Sequence, residues 1–419
     1  MSDAAAAPDT QFRWYLAGAG SWFIAFGIQA VMFAYLVTTV LHAPPNRVGI
    51  AQMSLTAMST LLLLVGGAVA DKVDTRRLLL FCHALAIVPA LVLAGIVYTG
   101  NLRYEWLIAY GLCMGLITAF ILPAREAMMG DVIGPHGGHG RIQRAVTTTI
   151  GITFLAQIAG MFIAGFAAVL GAAPVIMVQV AAQAFGAFTA HRLIPSTRHS
   201  DHAHINVGSS LTRIAAGLRE VANSFALLPV TILTLAIGVL FIGAFLVILP
   251  VLLREEFGGN VEQFATLQVC FWGGSIISSM TISRVGNIVH RGRFIVGALT
   301  IGVLVLCLIS IKGPLVVLDA LVFVWGLGAG VTISMSRTIV QEHAPPAHRA
   351  RVLSVYQLGF TGGMSIGALF IGFVVEALGA RQATLVPAGL MALVLIGLLL
   401  GTKLWHITAL RHDDAGKTA

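Results

Sequence analysis

Two ionisable side chains interrupt long apolar runs of this chain, Asp319 and His83. A carboxylate or imidazole at such a depth is a coupling candidate: Asp319 would take up a proton, a cation or a substrate amine, and His83 would titrate near neutral pH. Each also has a plainer reading. Asp319 follows Pro314 by five residues, roughly 7.5 Å at helical rise, and so suits a helix-start residue near water, while His83 suits a headgroup-facing residue at the end of its run. The polar and aromatic side chains inside other runs are Phe26, Gln29, Phe33, Tyr110, Gln157, Phe241, Phe245, Trp325 and Gln357. Aromatics with a few amides suit an amphipathic ligand, supplying apolar area and orienting hydrogen bonds; the alternative for each is contact with lipid or a neighbouring helix. No Lys or Arg falls in the middle of a run. A carrier of phosphate or dicarboxylate needs such a cation, so a neutral, cationic or amphipathic ligand is expected.

Enzymatic chemistry finds little support. There is no nucleophile, base and orienter set, no phosphate loop and no haem motif, and neither enzyme activity nor a cofactor is expected. Cys82, Cys113, Cys270 and Cys307 are widely spaced within apolar runs, which excludes a CxxC metal site or a disulfide framework. His136 and His139, then His199, His202 and His204 beside Asp201, have spacings that a transition metal accepts. Their loops are rich in Gly and Ser and hold ligands poorly, so no metal site is expected.

The elements that must position these residues follow from composition. Of 419 residues, 58% are apolar and 10% charged, with a mean hydropathy of +0.91; a soluble domain carries about a quarter charged residues. The formal charge of +8 is explained by a bilayer surface, and nucleic acid is not an expected partner. A span needs about 20 apolar residues. Twelve windows qualify, at 14–41, 48–70, 78–98, 106–124, 145–170, 173–190, 226–253, 263–282, 294–311, 314–335, 352–376 and 383–402. The first is too long for a signal-peptide core and reads as a retained span. With these windows, twenty of the 25 basic residues fall in the two tails and alternate loops and five in the others. The positive-inside rule then places both termini in the cytoplasm of a cell whose inner membrane holds the chain.

The domain organisation predicted is an N-terminal six-helix bundle over 1–190, a cytoplasmic linker over 191–225, and a C-terminal six-helix bundle with its tail over 226–419. Within the linker Leu211, Ile214, Leu218, Val221 and Phe225 recur at helical spacing, giving an amphipathic helix that is either a brace between moving halves or a surface-held tether. The halves repeat: segment 4 leaves through Pro123, Ala124, Arg125, Glu126 and Asp131, and segment 10 through Ser336, Arg337, Gln341 and Glu342. The fold class is therefore all-α membrane protein, with twelve spans in two pseudo-repeats. One such chain encloses a cavity, so a monomer suffices.

The loop after segment 2 reads Gly67-Ala68-Val69-Ala70-Asp71-Lys72-Val73-Asp74-Thr75-Arg76-Arg77. It resembles the G-x-x-x-D-R/K-x-x-x-R-R loop of the major facilitator superfamily. Leu122–Ala127 and Arg349–Tyr356, followed by Gly359, Gly363, Gly367 and Gly372, resemble the branch with the enterobactin exporter and macrolide efflux proteins. The resemblance implies a secondary active transporter working by alternating access, most simply an exporter of a drug or siderophore, with protons or another ion as coupling partner. Import of a siderophore or nutrient and a transport-silent receptor are the alternatives. It also implies a conformational latch from Gly67, Asp71, Arg76, Arg77, Arg125 and Glu126, with Gly67 allowing close helix approach; Arg76 and Arg77 otherwise serve only as positive-inside determinants. Segments 1, 4, 7 and 10 would line the cavity. Segment 1 lacks an acidic residue and segment 5 lacks a Gly-Pro pair, both departures from proton-coupled drug antiporters.

Overall fold

The computed structural model describes residues 8–133, 139–195, 217–285, 288–345 and 348–408, which are almost entirely helical. In lipid each backbone N–H and C=O must be satisfied within the chain, and runs rich in Leu, Ala, Val and Ile achieve this as helices. The long helices are α1 (Pro8–Tyr35), α2 (Pro45–Ala70), α3 (Thr75–Tyr98), α4 (Tyr104–Ile133), α5 (His139–Gly165) and α6 (Ala172–Arg192). They continue as α7 (Leu227–Phe257), α8 (Val261–Val285), α9 (Arg291–Ile309), α10 (Leu315–His343), α11 (Arg349–Leu378) and α12 (Leu385–Gly401). α1 runs on through a π-helical turn at Leu36–Val40, and α7 contains another at Ile237–Ile242.

Eleven of these stretches are long and apolar enough to cross a membrane. The window expected at 263–282 corresponds to α8, whose 25 residues reach about 37 Å. Gln263, Gln268, Ser275, Ser278, Ser279, Thr281 and Ser283 leave it too polar to meet the same standard. Segment 4 also differs from expectation. Pro123 was expected to end it, but α4 carries Pro123 in its interior and runs on to Ile133.

Two compact units form. The first takes the chain to Ala43, from Ser54 through α6, and Gly258–Thr266. In it α1 packs on α5 and α6, and α3 packs on α6 and α4. The second takes Pro44–Met53, residues 217–257 and the chain from Leu267. Here α11 packs along α7, and α9 packs on α10 and α12. Pro44–Met53 joins this unit where Gly49 lies against the Ala368 carbonyl and Gly372.

Small residues set the helix crossings, as expected where lipid offers no hydrophobic drive between helices. The close approach assigned from sequence to Gly67 belongs to Gly66. A Cβ on Gly67 would meet open space, whereas one on Gly66 would fall far inside contact distance of the Ala119 carbonyl oxygen. That carbonyl lies four residues before Pro123 and so loses its helical donor; the Gly66 backbone packs against the freed oxygen. The change Gly66→Ala is therefore expected to cost about 1–3 kcal/mol through backbone displacement. Gly67→Ala should instead be neutral or stabilise by up to about 1 kcal/mol. Thermal unfolding of the two variants in detergent checks the contrast, and equal melting temperatures would contradict it.

Candidate functional site

The C-terminal unit contains a cavity between α7, α8, α9, α10 and α11. Phe241, Phe271, Trp272, Trp325, Tyr356 and Phe360 supply aromatic walls, and Thr234, Thr332 and Ser336 supply hydroxyls. Phe241 lies in the π-helical turn Ile237–Ile242; such turns insert one residue into a helix and re-aim its neighbours. Its ring meets Trp325 edge to face, with centroids 5.6 Å apart. Phe245 stands 4.2 Å from Phe271 and 6.2 Å from Trp325. Gly302 makes room for this cluster, since a Cβ there would lie 2.6 Å from Phe241 Cε2 and 3.4 Å from Trp325 Cδ1. Among the polar groups, Thr332 donates to the Gly328 carbonyl at 2.9 Å, whereas Ser336 Oγ is buried with no partner among the described residues. The cavity is thus apolar and aromatic with an unused hydroxyl, and has no carboxylate, Lys or Arg in its wall among the described residues.

Of the residues singled out from sequence, Phe241 and Trp325 line this cavity and Phe245 supports it. Phe271, Trp272, Tyr356, Phe360 and Gly302 were not singled out. Phe271 and Trp272 lie on the polar α8, and Gly302 carries no side chain to attract notice. Gln357 is exposed on α11.

In the N-terminal unit, Gln29, Phe33 and Tyr110 are brought together. The Tyr110 hydroxyl donates to Gln29 Oε1 at 3.1 Å and accepts from Gln179 Nε2 at 2.7 Å, while Phe33 stacks on its ring. This buried chain ties α1, α4 and α6. Phe26 is half-buried against Phe23. Gln157 is buried with Nε2 unpartnered, and its backbone carbonyl lies against Gly27 of α1.

His83 is 4% exposed, which overturns the headgroup-facing reading. Its Nδ1 lies 2.9 Å from Gln183 Oε1, the geometry of an Nδ1–H donor, and Trp22 meets the ring edge to face. Asp319 is half-buried with Oδ1 unpartnered, and its charge acts on Cys270 of α8.

The loop after α2 orders around Asp74, not Asp71. Asp74 caps α3 by accepting from the Arg76 amide at 3.0 Å and pairs with Arg77 at 3.6 Å. Arg76 reaches the His191 carbonyl at 2.6 Å. Asp71 and Glu126 are exposed. Arg125 lies over Phe23, with 4.5 Å from the guanidinium carbon to the ring centroid. α4 continues past it by eight residues, about 12 Å, so Arg125 lies on the helix and not in the loop after it. In the second half Arg291, at the start of α9, forms an ion pair with Glu342 near the end of α10. Thr75, at the start of α3, hydrogen-bonds Asp131 near the end of α4.

Residues 217–223 of the linker are helical, with Val221 buried and Leu218 and Phe225 exposed. Glu220 bonds His348 at 2.7 Å, and Gly217 lies against the Arg351 carbonyl. Leu211, Ile214, His136, His199, Asp201, His202 and His204 lie outside the described residues.

A profile of the transmembrane secretion effector family matches residues 8–416. An uncharacterized transporter of the major facilitator type from Bacillus subtilis (strain 168), YwfA, is 27% identical over 199 residues, 47% of each chain. The match thus spans about half the length of that curated relative. Among solved structures, a peptide-transporter-type (POT family) protein in complex with 5-aminolevulinic acid superposes with a TM-score of 0.73 at 12% identity, covering 94% of this chain and 96% of that one. The nucleoside transporter NupG superposes with a TM-score of 0.69 at 15% identity, covering 93% and 98%. At these identities the likeness is one of fold.

Proposed function

Since the chain belongs to the transmembrane secretion effector family of major facilitator transporters, we propose that it exports a small amphipathic molecule by alternating access, and that the aromatic cavity of the C-terminal unit holds it. The observation that carries this reading is the cavity itself. Its aromatic walls with an unpartnered Ser336 hydroxyl suit an amphipathic ligand. Its wall favours a neutral ligand or a lipophilic cation resting on Trp325 and Phe241, with Ser336 Oγ to orient it. The family's description as secretion effectors supports export over import.

The reading includes twelve spans with α8 as the eighth, two six-helix repeats over 1–190 and 226–419, both termini in the cytoplasm and residence in the inner membrane. The alternate distribution of basic residues supports it. Cysteine labelling from outside the cell should miss the 191–224 loop; labelling there would overturn the topology.

The test of function is a thermal-shift screen of the detergent-purified chain against macrolides, siderophores, sugars, carboxylates and organic cations. A ligand at 100 times its dissociation constant adds about 2.7 kcal/mol of stability. Inverted vesicles loaded with the selected class then report direction: accumulation inside them means export, and efflux from them means import. Stabilisation by sugars alone would contradict the aromatic site.

Two further roles are part of the proposal. Asp71, with Arg76, Arg77, Arg125 and Glu126, acts as a conformational latch, so Asp71→Asn should lower turnover at least several-fold with ligand binding unchanged; unaltered transport would sink the latch. Asp319, whose Oδ1 has no partner among the described residues, couples transport to protons, with His83 a second candidate. Asp319→Asn should then abolish the response of vesicle transport to an imposed pH gradient, and wild-type gradient dependence in the variant would rule coupling through Asp319 out.

A further inference from the structure

A second, small cleft lies inside the N-terminal unit between α1, α3, α4 and α6. Its wall includes Tyr15, Trp22, His83 and Arg125 and no carboxylate, so the Tyr15 O–H and Trp22 N–H stand beside one cation. Arg125 Nη1 is fully buried and has no hydrogen-bond acceptor among the described residues. A buried guanidinium N–H without an acceptor is costly, more so than a neutral donor in the same place. The cation–π contact with Phe23 occupies the face of the guanidinium and leaves its N–H edge to find a partner. Glu126 acts on Arg125 electrostatically, but it is exposed and next in sequence, and consecutive helix residues do not face each other.

The space is built by small residues. Gly18, Ala19, Gly186 and Ala190 line it. A Cβ on Gly186 would lie within contact of the His83 ring and 2.8 Å from Ser21 Oγ, so the glycine lets the imidazole reach the cleft wall. Gln183 and Trp22 fix that ring from the other sides.

We propose that this cleft binds a small anion, a halide or a carboxylate, on the Arg125 guanidinium. The site lies in a different unit from the aromatic cavity and takes the opposite chemistry. It does not depend on what the aromatic cavity binds. A bidentate carboxylate matches the planar fork of Arg125, and a halide accepts from one or two of its N–H groups.

The experiment is thermal unfolding of the full-length chain in detergent, exchanging gluconate for chloride, bromide, acetate or benzoate at fixed sodium concentration and ionic strength. An anion at ten times its dissociation constant raises the native-to-unfolded ratio about elevenfold, read as a saturable rise in melting temperature. Arg125→Gln should remove the rise, Arg125→Lys should keep part of it for halides and less for carboxylates, and Glu126→Gln should leave it intact. Saturation by halides alone identifies an inorganic anion, and graded saturation among carboxylates identifies an organic one; both support the site. Absence of any saturable anion effect in the wild-type chain overturns the proposal, as does an equal effect in Arg125→Gln. Should Arg125→Gln fail to fold, the wild-type titration and Arg125→Lys still decide.

Discussion

Replacing Trp325 by alanine is expected to remove about 3–5 kcal/mol of stability and to weaken binding in the aromatic cavity by at least about tenfold. Trp325 is 2% exposed and meets Phe241, Phe245 and Phe271 with ring centroids 5.6, 6.2 and 5.8 Å away. Aromatic pairs of this geometry contribute about 0.5–1.5 kcal/mol each beyond the apolar area they bury. Truncation therefore removes three such pairs at once and enlarges a cavity that the neighbouring rings cannot refill. Trp325→Phe keeps most of the apolar area and should lose less than half as much. Crowding the aromatic cluster gives a test of the other sign: Gly302→Val drives a side chain against the Phe241 ring and should weaken ligand binding by displacing that wall. Differential scanning of the three variants, followed by titration with the compound selected in the screen, separates the cases. Wild-type affinity in Trp325→Ala, together with loss of binding on Tyr110→Phe, would place the ligand in the N-terminal unit.

The helical architecture was legible in the sequence because the bilayer imposes a single long-wavelength signal. Apolar runs of span length admit only helices or closed barrels, and the basic residues then register the loops. What blurred was local. α8 was recognised as a span from its apolar window at 263–282, yet its Gln and Ser content leaves it short of the hydropathy of the other eleven. The apolar window of segment 4 stops at residue 124, after Pro123, but the helix does not; the freed Ala119 carbonyl is packed against Gly66. Arg125, assigned from sequence to the loop after segment 4, lies on α4 itself.

The candidate site was half legible. Phe241 and Trp325 stood out because aromatics on segments 7 and 10 carry area and polarity in a single residue. The remaining walls come from α8, α9 and α11, and no spacing rule in one sequence says which face of those helices meets α7. The π-helical turn at Ile237–Ile242 also shifts the face on which Phe241 falls, an offset that a 3.6-residue period does not encode. Tyr110 and Gln29 were recognised as polar groups needing partners, and they found each other and Gln179; a sequence shows the need without showing who meets it.

Arg381→Ala should destabilise the C-terminal unit by about 2–4 kcal/mol, toward the lower end for breaking a buried ion pair because the partners keep some exposure. The side chains of Arg381 and Glu256 are 17% and 21% exposed. Arg381 Nε donates to Glu256 Oε1 at 2.6 Å and Nη2 to Oε2, the bidentate fork that guanidinium and carboxylate favour. Nη1 donates to the carbonyls of Ile309, at 2.8 Å, and Ile311, at 2.5 Å. These lie at the end of α9, where the last carbonyls have no helical donor. One side chain thus joins the end of α7, the end of α9 and the start of the short helix Ala380–Ala383. Sequence offered only a lone basic residue in an outer loop. Arg381→Lys retains charge without the fork and should lose at least half of the stabilisation; Glu256→Gln keeps an acceptor and leaves both carbonyl contacts, so it should lose the least. Thermal unfolding gives the order, and because two of the four bonds go to neutral carbonyls, raising the salt concentration should narrow the gap between wild type and Arg381→Ala only slightly. A variant Arg381→Ala melting with the wild type would show that the end of α9 is satisfied by other donors and that the clasp contributes nothing measurable.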